Sequence, residues 1–183
     1  MRPRESVCGI VGYVGRQEAW PIILEGLRRL EYRGYDSAGI AIVDAEGYIQ
    51  LRKTVGKVNG LDGEGSPAHP QGSVGLGHTR WATHGRPSYE NAHPHIDCQH
   101  RIAVVHNGIV ENYLELKRRL TDGGHTFESE TDTEVITHLV EEGMDRGLNF
   151  QEAFRRMGRM VKGSQAISAV REGEEAEMCA LRL

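Results

Sequence analysis

The sequence predicts an α+β domain built of stacked layers. Short apolar runs rich in β-branched residues and broken by glycine read as strands. Amphipathic stretches with helical spacing lie between them. The order is strands, helices, then strands again, which favours layers over a βαβ alternation. With 183 residues the chain suffices for one domain with its own core. No internal repeat or linker divides it.

The run CGIVGYV at 8–14 reads as a buried strand. A helix follows, with Trp20, Ile23, Leu24, Leu27 and Leu30 on one face, Pro21 in its first turn and Gly34 past its end. Segments 38–43 and 48–54 form a predicted hairpin across Asp44-Ala45-Glu46-Gly47, and 61–71 is a polar Gly- and Pro-containing loop. Strands are predicted at 74–80 and 101–105, separated by an irregular stretch crowded with His, Pro and Asn. Residues 111–120 predict a short helix with Tyr113, Leu114, Leu116 and Leu120 as its apolar members. Thr131 and Glu134 have capping-box spacing ahead of Val135, Ile136, Leu139 and Val140. A further helix is predicted at 150–161, and strands at 164–170 and 177–183 flank the acidic turn 172–175.

Composition excludes several functions. Lys and Arg total 22 against 26 Asp and Glu, a net charge of −4. With no basic block, the chain lacks the electrostatic footprint of a nucleic-acid binder. No stretch approaches the ~20 apolar residues of a membrane span, and residues 1–7 (MRPRESV) lack the apolar core of a secretory signal. Three cysteines, Cys8, Cys98 and Cys179, are an odd and sparse set, which predicts a reducing, cytoplasmic setting.

Two clusters carry candidate chemistry. Cys98 with His93, His95 and His100 (HPHIDCQH) offers thiolate and imidazole ligands, but no second ligand pair completes a zinc spacing. Neither metal nor cofactor is expected, and a zinc-binding interaction domain built on His93, His95 and Cys98 is an alternative. Cys179 reads as a small core residue. Cys8, just before Gly9, is a candidate nucleophile because of its company. His78-Thr79-Arg80-Trp81-Ala82-Thr83-His84-Gly85 combines a guanidinium, an indole and hydroxyls. Asn107-Gly108 pairs a carboxamide donor with an unencumbered backbone N–H, and Asp132 lies at the mouth of a helix. Together these can handle a zwitterionic amide: a cation for its carboxylate, an anion for its ammonium, two oxyanion donors and a nucleophile.

With these residues the sequence resembles the class II glutamine amidotransferases, which are N-terminal nucleophile hydrolases. The matching strings are CGIVGY from Cys8, LRRLEYRGYDSAG from Leu27, GHTRWATHG from Gly77, NAHPH from Asn91, VHNGI from Val105 and TDTE from Thr131. They are most similar to the branch that passes ammonia to a sugar-phosphate isomerase domain acting on fructose 6-phosphate, giving glucosamine 6-phosphate.

The resemblance implies a four-layer αββα sandwich with the nucleophile opening an inner strand. Cys8 would attack the side-chain amide of L-glutamine and form a thioester as ammonia leaves. The nucleophile's own α-amine would be the general base. Asn107 and Gly108 would form the oxyanion hole, Arg80 would bind the substrate carboxylate and Asp132 its ammonium. Thr83 and His84 would line the pocket, Trp81 would belong to a closing loop, and Arg33 would favour the thiolate. Pairing of Arg33 with Asp36, and a core role for Trp81, are the plainer readings of those residues.

Two departures from the family pattern follow. Residues 1–7 precede Cys8 as an extension or propeptide, so the Cys8 nitrogen is an amide without useful basicity. The chain is expected to be inactive until they are removed, through attack of the Cys8 thiol on the Val7 carbonyl; a misassigned start is the alternative. The family domain also continues for several strands beyond Leu183, so residues 8–183 would be an incomplete, C-terminally truncated glutaminase domain without the isomerase domain. An unpaired sheet edge would then favour a homodimer. The competing function is a catalytically silent glutamine-binding or regulatory module.

Overall fold

A computed structural model describes residues 8–63, 68–81 and 85–183. Two antiparallel four-stranded sheets pack face to face. The first has the order β1 (Gly9–Val14), β4 (Val74–Arg80), β2 (Ser37–Val43), β3 (Ile49–Val55). The second is ordered β5 (His95–Ile96), β6 (Ile102–Gly108), β7 (Gln165–Arg171), β8 (Glu177–Arg182).

Period-2 alternation sorts the side chains into layers. On β2, Ile40 and Ile42 pack under Trp20, Ile23, Leu24 and Leu27 of helix α1 (Ala19–Leu30), while Ala41 and Val43 turn toward the second sheet. On β6, Ala103 and Val105 meet that inner face. Ile102 and Val104 face the helices α2 (Tyr113–Asp122), α3 (Glu134–Asp145) and α4 (Phe150–Gly158). The result is the αββα arrangement that the resemblance implied.

The fine structure departs from expectation in four places. The short strand β5 lies in the stretch read as irregular; two residues carry no periodicity to read. Helix α2 begins at Tyr113, with Leu116 and Leu120 buried but Leu114 exposed. The Thr131–Glu134 capping box does not form: α3 is capped at Thr133 with no side-chain bond to the backbone. The Glu134 carboxylate instead accepts from the backbone N–H groups of Glu128 and Ser129, both at 2.8 Å, while Thr131 Oγ1 lies 3.1 Å from His95 Nε2. The capping box that does form opens α4, between Asn149 and Glu152. The hairpin at 44–47 is as expected, with Asp44 Oδ1 accepting from Glu46 and Tyr48 N–H and Gly47 at φ +89°.

Helix α1 lies close on β4 because Gly77 has no side chain. A Cβ there would stand 2.5 Å from Ile23 Cγ2 and 2.9 Å from Leu27 Cδ1. Gly77→Val therefore overpacks the helix–sheet contact, at a cost of about 1–3 kcal/mol. A urea melt of this variant has a lower midpoint than the parent; an unchanged midpoint contradicts the packing described.

Candidate active site

Cys8 stands at the head of β1, where the register Gly9↔Thr79 brings it beside the end of β4. The Gly9 N–H donates to Thr79 Oγ1 at 3.2 Å, fixing this entry. Cys8 Sγ accepts the Trp81 N–H at 3.2 Å and lies 3.6 Å from the Trp81 carbonyl oxygen. The Trp81 ring meets Tyr35 edge to face at 5.6 Å. Burial pushes the Cys8 thiol up from its ordinary value, opposed by the Trp81 N–H and the Arg80 charge. The resting group is therefore a thiol that needs a base.

The second sheet supplies the donors. Asn107, at the end of β6, donates from Nδ2 to the Cys8 carbonyl oxygen at 2.8 Å. That acceptor can only accept, so the amide orientation is determined. Asn107 Oδ1 then faces His78 Nε2 at 2.8 Å, and His78 must carry its proton there. The second hydrogen of the Asn107 amide is not used by these bonds. Gly108 follows at φ +139°, a region that side chains rarely enter, and a Cβ there would lie 2.6 Å from the Ser164 carbonyl oxygen. Glycine is thus required at Gly108, and it puts no side chain of its own beside the backbone N–H.

Arg80 is buried at the end of β4, with Nη2 donating to the Gly85 carbonyl at 3.2 Å. Burial lowers its pKa, while Cys8, Asp36 and Asp132 act to raise it. Those charges therefore share one electrostatic neighbourhood. Asp132 is also buried, and its Oδ2 accepts the Val110 N–H at 2.7 Å just ahead of α3. A cavity of about 910 Å³ is lined by Cys8, Gly9, Arg33, Asn107 and Gly108, with β7 and β8 forming the far wall. Arg80, Trp81 and Asp132 do not line it. Thr83 and His84, also expected at the site, lie outside the described residues, as do residues 1–7.

The sequence reading missed His78 as the partner of Asn107. The available signal was strand parity: His78 and Arg80 point the same way on β4, toward the inter-sheet layer. His78 packs against His93 in a tilted pair with ring centroids 4.1 Å apart, and His93 in turn meets His95 edge to face at 4.7 Å. His93 Nε2 and His106 Nδ1 both reach Thr133 Oγ1, at 2.9 and 3.0 Å. This corrects the grouping of His93, His95 and His100 with Cys98. His93 and His95 belong to the buried ladder and His100 is exposed, whereas Cys98 Sγ lies near His125 and His138.

The ladder stays neutral. Burial pushes His78 down to about 3 and His106 down to about 4, and it lowers His93 and His95 as well. Unfolded, such rings titrate near 6.5. Below that pH the unfolded chain takes up protons that the folded chain refuses, so stability falls as pH drops from about 6.5 toward 4. Urea midpoints decline between pH 7 and pH 5, and the ring resonances of His78 and His106 do not titrate over that interval. Titration of either ring above pH 5 contradicts this burial.

Comparison with known proteins agrees with the geometry. The profile of a family described as "Glutamine amidotransferase domain" matches residues 50–155. The chain is 53% identical over 161 residues to the glutamine–fructose-6-phosphate aminotransferase (isomerizing) of Pyrococcus horikoshii, covering 88% of this chain and 27% of that protein. With the same-named protein of Thermus thermophilus it shares 53% identity over 169 residues, 92% of this chain and 28% of the relative. The chain thus spans under a third of the length of these curated relatives. Among solved structures it resembles the glutamine phosphoribosylpyrophosphate amidotransferase of Bacillus subtilis. That match has a TM-score of 0.79 and 30% identity, over 96% of this chain and 36% of the other. The chain belongs to the class II glutamine amidotransferase family of enzymes, with the N-terminal nucleophile hydrolase fold.

Proposed function

We propose that this chain hydrolyses L-glutamine to glutamate and ammonia through a thioester on Cys8. The observation that carries the proposal is the 2.8 Å bond from Asn107 Nδ2 to the Cys8 carbonyl, which holds nucleophile and oxyanion donors together across two sheets. Cys8 Sγ attacks the side-chain carbonyl carbon as its proton passes to the base. Asn107 Nδ2 and the Gly108 N–H hold the oxyanion. Collapse expels ammonia, which takes the proton, and water then cleaves the thioester to glutamate. Arg80 receives the substrate carboxylate and Asp132 its ammonium, with Trp81, Thr83 and His84 completing that side and Arg33 bordering the cavity beyond the thiol.

The base is the α-amine of Cys8, with a pKa of about 7.7–8.0 once free. In the sequence that nitrogen is an amide bonded to Val7, so turnover awaits cleavage of the Val7–Cys8 bond. The same bond favours the second reading, a glutamine-binding module without turnover. By analogy with the aminotransferase relatives, the ammonia acceptor is a sugar-phosphate isomerase domain acting on fructose 6-phosphate. Three unpaired cysteines support a reducing cytoplasmic setting, and no described helix is long and apolar enough to cross a membrane.

Intact mass and ammonia release are measured together. A chain beginning at Cys8 releases ammonia and is labelled at Cys8 by a glutamine-analogue electrophile, with a rate rising through pH 8. Cys8→Ala abolishes both, and Asn107→Ala lowers kcat by about 10²–10³-fold. Glutamine binding without turnover in the chain that begins at Cys8 selects the silent module, and equal turnover by the uncleaved chain removes the need for a free amine.

The outer strands β1 and β8 offer unpaired backbone edges among the described residues, which supports association of two chains. Sedimentation velocity at micromolar concentration gives a dimer; a monomer contradicts this.

A further inference from the structure

Away from Cys8, three separated segments bring four ligand-bearing side chains to one point. Cys98 lies in the turn between β5 and β6, His125 follows α2, and His138 and Glu141 are on α3. Their ligand atoms all lie within 4.8 Å of one another. Cys98 Sγ is 3.9 Å from His125 Nδ1 and 3.7 Å from His138 Nδ1. Glu141 Oε2 is 2.9 Å from His125 Nδ1 and 2.8 Å from His138 Nδ1. We propose that Cys98 Sγ, His125 Nδ1, His138 Nδ1 and Glu141 Oε2 form a structural binding site for one divalent zinc-type cation.

The geometry fits a tetrahedral centre. Bonds of about 2.0–2.3 Å place tetrahedral ligand atoms roughly 3.3–3.6 Å apart. The sulfur–nitrogen pairs here are slightly longer, the nitrogen–oxygen pairs slightly shorter, and no pair exceeds 4.8 Å. The donor set selects the metal. One thiolate, two imidazoles and one carboxylate suit a borderline-soft ion, whereas calcium and magnesium favour all-oxygen shells.

Charge points the same way. A divalent cation with one thiolate, one carboxylate and two neutral imidazoles is neutral overall. That matters because His138 and Glu141 are 1% and 2% exposed, where uncompensated charge is costly. The other ring nitrogen of His138 lies 3.7 Å from Glu134 Oε1, beyond hydrogen-bond length, so the carboxylate is a charged neighbour of the imidazole and not a bonded partner.

Backbone geometry places the ligands in advance. Asp97 Oδ1 accepts the Ile102 N–H at 2.7 Å and Asp97 O accepts that of His100 at 3.1 Å, bracing the turn that carries Cys98. Gly124, at φ +96°, lets the His125 N–H return to the Leu120 carbonyl at 3.0 Å, so His125 is held by the closing turn of α2. His138 and Glu141, three residues apart, share one face of α3. Cys98 is exposed, which gives a hydrated cation an entry path. All four positions are filled by protein, so the centre clamps the β5–β6 turn and the α2–α3 connection onto α3 and offers no open site for catalysis. The proposal is independent of the glutaminase reading.

The test uses the untagged full chain, stripped with a chelator and dialysed against zinc or cobalt. Elemental analysis gives one zinc per chain and the melting temperature rises on loading. Cobalt gives a thiolate charge-transfer band with the intense visible bands of a tetrahedral centre. Cys98→Ser, which alters an exposed position, loses the charge-transfer band. Its zinc affinity falls by at least the roughly 10–100-fold that loss of an outer partner costs. His125→Asn weakens binding likewise, and Cys8→Ala leaves it intact. Zinc uptake unchanged in the Cys98→Ser, His125→Asn double variant overturns the proposal. So does a six-coordinate cobalt spectrum, or no uptake at micromolar metal, which would leave the cluster a hydrogen-bonded ion pair.

Discussion

The site depends on a hydrogen bond between two sheets. Cys8 opens β1 in one layer and Asn107 closes β6 in the other, and the amide-to-carbonyl bond between them spans 99 positions of sequence. Strand β6 carries both proposed oxyanion donors but no nucleophile, and the thiol comes from the head of β1. The sandwich is what aligns a thiol from one sheet with a carboxamide and a bare N–H from its neighbour. The layer between the sheets is apolar, with Ala41, Val43, Leu76, Ala103, Val105 and Val170 buried in it, so the polar bond lies at the end of a packed interface. Preorganised donors of this kind need little reorganisation when charge develops, which is why they are effective in a low-dielectric site.

The polar groups behind that bond are kept neutral, and this narrows the chemistry. His78 lies one hydrogen bond from Asn107. At a pKa of about 3 it is too weak a base to take a proton from a thiol that burial has raised. Its contribution is orientational: a proton on Nε2 fixes Oδ1 of Asn107, and so fixes where Nδ2 points. The proposed reliance on the Cys8 α-amine gains force from this. The imidazole bonded to Asn107 cannot do that work near neutral pH.

The sequence made the layers legible wherever one face was apolar over several residues. Helix α1 was readable from Trp20 to Leu30, and the β7–β8 hairpin from its acidic turn. The chemistry was readable where unusual residues clustered in strings, as in GHTRWATHG, and the family resemblance added roles to them. What remained hidden depended on contacts made across the fold. Glu134 has capping-box spacing to Thr131, yet its carboxylate is better satisfied by the two N–H groups of Glu128 and Ser129, a tertiary competition no local pattern encodes. The ligands His125 and His138 lie 27 and 40 residues from Cys98. His93 and His95 are closer in sequence, but strand β5 turns them into the ladder.

Helix α3 joins these two systems mechanically. Its N-terminal approach carries Asp132, which fixes the Val110 N–H just after β6. Thr133 then links the ladder through His93 and His106. The next residue, Glu134, faces His138 one turn further on, and the turn after that presents Glu141 to His125. A cation gripped by His138 and Glu141 would therefore bear on the same rigid rod that positions Asp132 and Thr133. Rotation or translation of the helix would shift both ends together, because a hydrogen-bonded helix transmits displacement along its axis. The clamp is thus placed where it would hold Asp132 and Thr133 steady without contributing an atom near Cys8. That arrangement explains why a structural metal on this face would fill all its positions with protein ligands.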